Sequence, residues 1–146
     1  MTIIIGWVPR PEGDAALDRA IEEATLRSEQ LVVLNASSGA SYNDVNYATE
    51  AQLASVQDRL DAAGIDYDLR QMLRGKEPSD EVIDVAASLD ASMVVIGLRH
   101  RSSVGKFLMG SSAQEILMGV HCPVLAVPAN AAQHSALQLA RREPRS

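Results

Sequence analysis

The chain has 146 residues, 47% of them apolar, enough for one domain with a buried core. Thirteen basic against nineteen acidic side chains give a net charge of −6, and Trp7, Tyr42, Tyr47, Tyr67 and Phe107 are the only aromatic residues, which excludes a basic, base-stacking nucleic-acid groove. No apolar run approaches the ~20 residues of a membrane span, and a single cysteine, Cys122, excludes an internal disulfide or a multi-cysteine metal site.

The chain opens on Ile3-Ile4-Ile5-Gly6, a short β-branched run that reads as a buried strand, stopped by Gly6, Pro9 and Pro11. No basic leader or small-residue cleavage site precedes it, so a cytoplasmic protein is expected. From Asp14, Leu17, Ala20, Ile21 and Ala24 recur at helical spacing and predict an amphipathic helix. Leu31 to Leu34 predicts a second strand, ended by the turn-prone stretch Asn35 to Gly39. A second helix is expected from about Asn43 to Ala63, with Leu53, Val56, Leu60 and Ala63 on one face and Gly64 as its stop. Ile65 to Leu73 partly alternates and reads as an edge strand.

After Gly75 and Pro78, a third helix starts near Ser79 and places Val82, Val85, Ala86 and Leu89 inward. Met93 to Ile96 predicts a buried strand ending at Gly97. A glycine- and serine-bearing loop leads to a short helix from about Ser111, with Ala113, Ile116 and Leu117 inward, and Pro123 to Pro128 is a strand bracketed by prolines. The expected domain is residues 1–128, and residues 129–146 form a tail that reads as a frayed helix or as disordered.

Five strands alternate with four helices, and the strands are apolar throughout rather than at every second residue. That pattern requires a parallel sheet covered on both faces, an α/β doubly wound fold. Such sheets bind ligands beyond the carboxyl ends of their strands, where strand order reverses. The loops after the first and fourth strands, Gly6 to Pro11 and Gly97 to Ser112, are the candidates. Charge points to the second. Residues 1–90 carry seven basic and seventeen acidic side chains, residues 91–146 six and two, and no acidic residue lies between Ala91 and Gln114 while Arg99, Arg101 and Lys106 do. A local cationic segment on an acidic chain suggests a small anionic ligand.

Gly110-Ser111-Ser112 would present backbone N–H groups and hydroxyls to a phosphate at a helix N-terminus. A purely structural reading stands beside this one: Ser111 or Ser112 is an N-cap, and Gly97 and Gly110 are turn residues. A Walker A loop is excluded, because position 100 is His and Lys106 is followed by Phe107; prolines after the first strand exclude the dinucleotide fingerprint.

The stretch Gly97 to Leu117, with His121-Cys122-Pro123 and Val124 to Pro128, resembles the C-terminal half of the universal stress protein (UspA-like) family. Nucleotide-binding members carry Gly-x2-Gly-x9-Gly-Ser/Thr after the fourth strand; here the register is Gly97-x2-His100-x9-Gly110-Ser111. Upstream, Pro11-Glu12, Ala15-Ala16-Leu17 and Ala20 resemble the family's first helix, and Gly75 with Pro78 its loop before the third. The resemblance covers about residues 3–128 and is loosest between 35 and 75. It implies an adenine-nucleotide alpha-hydrolase-like sheet in the order 3-2-1-4-5, a nucleotide site at the strand 1/strand 4 switch point with ATP, and Mg²⁺ alongside it, as the candidate ligand, and a homodimer through the fifth strand.

On that resemblance the site residues are Val8, Gly97, Arg99, His100, Arg101, Gly110, Ser111 and Ser112. Val8 stands where binding members have an aspartate that contacts the nucleotide, and Pro9 removes a backbone donor. His100 replaces a glycine, and with Arg99 and Arg101 it could meet phosphate oxygens directly. Two readings follow: a regulatory module with an adenine-nucleotide site, or a dimeric stress-response interaction module that does not bind ATP. A third, a weak nucleotide hydrolase, lacks a general base near the loop, so no catalytic residue is assigned. His121 is expected to pack or cap, Cys122 to be a small core residue, and Trp7 to be either an edge-of-core aromatic or a stacking platform for a base; His134 has no partner for catalysis.

Overall fold

In the computed structural model, residues 1–40, 43–99 and 109–129 are described. The elements are β1 (Thr2–Gly6), α1 (Pro11–Arg27), β2 (Gln30–Ser37), α2 (Glu50–Ala63), β3 (Tyr67–Leu73), α3 (Pro78–Ser88), β4 (Met93–Leu98), α4 (Ser111–Gly119) and β5 (Val124–Pro128). All strand pairs are parallel and the sheet order is β3-β2-β1-β4-β5. The chain winds from β1 outward to β3, returns across the sheet, and continues from β4 to β5. The switch point therefore falls between β1 and β4, as the resemblance implies.

Strand periodicity sorts the apolar residues onto two faces. Ile3, Ile5, Leu31, Val33 and Val95 join Leu17, Ala20, Val56 and Leu60 in the core on the α1/α2 side. Ile4, Val32, Val94 and Ile96 join Val82, Val85 and Ile116 on the α3/α4 side. Because both faces are covered, central strands with no polar alternation are stable. Each fully buried Ile or Leu contributes about 1.5–3 kcal/mol relative to exposure.

Element boundaries differ from expectation where local chemistry overrides periodicity. Helix α1 starts at Pro11, ahead of Asp14, because a proline at the first helical position lacks only an N–H that would have no helical partner, and Glu12 and Asp14 then favour the positive end. Helix α2 starts at Glu50, well after Asn43, where Thr49 and Gln52 form a reciprocal capping box. Strand β2 continues through Asn35, Ala36 and Ser37, which the composition assigns to a turn; its ladder with β3 runs to Ser37–Leu73, and all three residues are buried. Of the α2 face, Val56 and Leu60 are buried while Ala63 is exposed. Leu117 is 48% exposed rather than inward, leaving Ile116 as the buried residue of α4. As expected, β3 is a half-exposed edge strand. Most of the expected tail, residues 130–146, lies outside the described residues. Among the described residues no helix is long and apolar enough to cross a membrane.

One packing contact seats α1. A Cβ on Gly13 would lie 1.9 Å from the carbonyl oxygen of Val8, so the first turn of α1 lies directly on the turn leaving β1. Gly13→Ala is expected to destabilise the fold by about 3 kcal/mol, read as a lower denaturation midpoint at unchanged slope. Thr49→Ala, which breaks the α2 capping box, is expected to cost about 1 kcal/mol in the same measurement.

Candidate functional site

A pocket of about 370 Å³ opens at the carboxyl ends of β1 and β4. Val8 and Arg10 from the β1–α1 turn and Glu12 from the first turn of α1 form one wall, Leu34, Ala36, Asp44 and Asn46 a second, and Gly97 and Arg99 the floor beside the starts of α3 and α4. Sequence reasoning places Val8, Gly97, Arg99, Gly110, Ser111 and Ser112 in a site, and all six line this pocket. His100 and Arg101 lie outside the described residues.

The helix ends around the pocket share a property. Helices α1, α3 and α4 begin at Arg10, Glu77 and Gly110, none of which makes a side-chain cap, whereas the N-terminus of α2 is fully capped by Thr49. Residues from the first turns of α1, α3 and α4 line the pocket. Their partial positive charges and free N–H groups favour an anion there. The expectation that Ser111 or Ser112 is an N-cap does not hold: Gly110 occupies that position, and both serines are exposed in the first turn.

The two loop glycines serve different ends. A Cβ on Gly97 would lie 2.3 Å from the carbonyl oxygen of Glu12, so this glycine is required for α1 to pack across β4. A Cβ on Gly110 would meet nothing within 4 Å. Among the described residues that space is open beside the bare end of α4.

The second wall depends on a residue that sequence reasoning assigns to a turn. The fully buried Asn35 amide donates to the carbonyls of Trp7 (3.0 Å) and Asn46 (2.8 Å), while its oxygen accepts from the N–H of Ala48 (2.9 Å) and from Gln71 (3.1 Å). Gln71 also donates to the Ala48 carbonyl at 2.8 Å. Asn35 thus ties the 44–48 loop to the end of β1. The available signal was that Leu34-Asn35-Ala36 continues the strand alternation; turn propensity obscured it.

Among the described lining residues, Arg10 and Arg99 are cationic and Glu12 and Asp44 anionic. The Arg10 Nε–H donates to Glu12 Oε1 at 3.2 Å, and the Asp44 carboxylate accepts the Asn46 N–H at 3.0 Å. At the start of α3, buried Ser79 lines the pocket and its hydroxyl donates to Glu115 of α4, fixing the two helix ends relative to one another. Trp7 is 3% exposed and belongs to the α1/α2-side core, which favours the core reading over a freely presented stacking platform. Among the described residues no cluster of three His, Cys, Asp or Glu could hold a metal ion. Cys122 and His121 lie together at a smaller cavity of about 210 Å³, lined by the ends of α3 and α4 rather than by the site residues. His121 is exposed rather than packed. Burial raises the Cys122 thiol above its usual range, which disfavours a nucleophilic thiolate.

The profile described as "Universal stress protein family" matches residues 1–128. The chain belongs to the universal stress protein family. A universal stress protein of Mycolicibacterium smegmatis is 39% identical over 125 residues, covering 86% of this chain and 95% of the relative. A universal stress protein of Archaeoglobus fulgidus has the same fold, with a TM-score of 0.69 at 28% identity over 86% of this chain and 96% of the other. A universal stress protein structure from the same organism in complex with dAMP gives a TM-score of 0.64 at 24% identity, covering 86% and 95%.

Replacing Asn35 by Ala leaves two carbonyls and one N–H of the pocket wall without their partner. We expect a loss of about 3 kcal/mol in chemical denaturation, and faster amide hydrogen exchange at Asn46 and Ala48 than in the remainder of the sheet.

Proposed function

We propose that this universal stress protein is a regulatory binding module that takes an adenine nucleotide in the switch-point pocket, with the phosphate end at Gly110-Ser111-Ser112 and Arg99. The observation that carries the reading is the uncapped start of α4 facing a pocket in which, among the described residues, a Cβ on Gly110 would meet no atom within 4 Å. The universal stress protein of A. fulgidus solved with dAMP supports the adenine nucleotide class. His100 and Arg101 would add cationic contacts from the same loop. With ATP as ligand, Mg²⁺ would travel on the phosphates.

A second reading, a dimeric interaction module without a nucleotide, is favoured by one specific feature. Val8 lines the pocket with an isopropyl group where binding members carry an aspartate, and Pro9 beside it has no N–H.

Under both readings the partner is a second copy docked through β5. Among the described residues this strand pairs on one side only, with β4, and ends the sheet; Ala126 is exposed, and Leu117 and Met118 on α4 are 48% and 85% exposed. An apolar, half-open edge of this kind is stabilised by pairing. Ala126→Lys is expected to shift the protein from dimer to monomer in gel filtration with light scattering; an unchanged mass would exclude this edge as the interface.

Nucleotide binding is tested by heat-denaturing the purified protein, assaying the supernatant for nucleotide, and titrating AMP and ATP with Mg²⁺ by calorimetry. Binding is expected, and Gly110→Ala, whose Cβ meets no atom of the described residues within 4 Å, should weaken it about tenfold while leaving the melting temperature unchanged. No released nucleotide and no heat at millimolar ligand would select the second reading.

A further inference from the structure

Two partly buried carboxylates line the pocket, Glu12 and Asp44, and the phosphate-binding reading uses neither; Glu12 lies at the switch point. Glu12, at the second position of α1, has a side chain only 12% exposed. It lies against the floor: a Cβ on Gly97 would be 2.3 Å from its carbonyl oxygen and 3.1 Å from its own Cβ. Its carboxylate is therefore held at the switch point itself, and Glu12 lines the pocket.

That carboxylate is poorly supplied with donors. Oε1 accepts from the Arg10 Nε–H at 3.2 Å, and Arg10 is 49% exposed at its side chain; among the described residues no side chain or backbone N–H donates to Oε2. Oε2 is not among the buried unpartnered atoms, so it stays open to the pocket and can accept from a ligand that brings neutral donors. A phosphate brings only acceptors and negative charge, so Glu12 repels it toward the bare N-terminus of α4 and Arg99. The vicinal hydroxyls of a ribose are neutral donors. They suit a carboxylate beyond the end of a central strand, the chemistry by which acidic residues bind ribose in doubly wound sheets.

The geometry points to Glu12 as the residue that accepts the ribose hydroxyls, taking over at the start of α1 the polar contact that Val8 does not offer, and so orienting the ligand with its phosphate toward α4. This assignment rests on the nucleotide reading above. It makes the pocket selective for ribonucleotides over their deoxy counterparts. The charge on Glu12 also favours the positive end of α1, so a structural role must be separated from sugar recognition.

The separation comes from changing protein and ligand together. Fluorescence of Trp7, the one tryptophan of the chain and a pocket-lining residue, is followed as AMP and 2′,3′-dideoxy-AMP are added to the wild type, Glu12→Gln and Glu12→Ala. The wild type is expected to bind AMP about tenfold or more tightly than the dideoxy compound, the range for hydrogen bonds to a charged acceptor. Glu12→Ala should bring this ratio to about one by weakening AMP alone. Glu12→Gln, which keeps an acceptor oxygen without the charge, should leave an intermediate ratio. Equal weakening of both ligands, or a ratio unchanged in Glu12→Ala, overturns the assignment while leaving the nucleotide reading intact. Binding of neither ligand by the wild type overturns both.

Discussion

The site depends on how closely the first turn of α1 lies on the ends of β1 and β4. Two backbone contacts fix it: Gly13 against the Val8 carbonyl and Gly97 against that of Glu12, each too close for a side chain. They hold the N-terminus of α1 across the gap where the strand order reverses, so Val8, Glu12 and Gly97 form a continuous surface. Without these glycines α1 would have to lift off the sheet, and the pocket would lose its floor.

On this base the other walls are set by polar chemistry. The Asn35 amide satisfies backbone groups of Trp7, Asn46 and Ala48 and holds the 44–48 loop in place. The Ser79 hydroxyl links α3 to Glu115 of α4. Three helices then begin at the pocket without side-chain caps, while α2 is capped by its own Thr49. The result is a site with two characters: partial positive charge from helix ends and Arg99, and a pocket-lining carboxylate at Glu12. A ligand with a neutral, hydroxyl-bearing part and an anionic part matches both.

The sheet was legible in the sequence because central parallel strands must be apolar on both faces, so Ile3–Ile5, Leu31–Leu34 and Met93–Ile96 could be read as buried strands from composition alone. Strand order came from the family resemblance rather than from periodicity. The loop after β4 was legible through its charge and its glycines, although Gly97 proves to serve helix packing. What stayed hidden depends on tertiary partners. Asn35 has turn propensity, and only the groups of Trp7, Asn46, Ala48 and Gln71 around it make a buried strand position favourable. Glu12 looks like an ordinary helix-start acid until its burial against Gly97 is known. Leu117 falls on the apolar face of a helical wheel, yet α4 packs mainly on α3 through Ile116 and leaves it outside.

The central claim is that an adenine nucleotide sits at the switch point with its phosphate on the start of α4. The most direct measurement is a titration of the ¹⁵N-labelled protein with AMP and ATP, followed by amide NMR. The account predicts saturable shifts concentrated at Gly110 to Ala113 and at Gly97 and Arg99, with Glu12 and Gly13 responding to both nucleotides. An unchanged spectrum at millimolar nucleotide, or shifts confined to residues remote from β1 and β4, would contradict it.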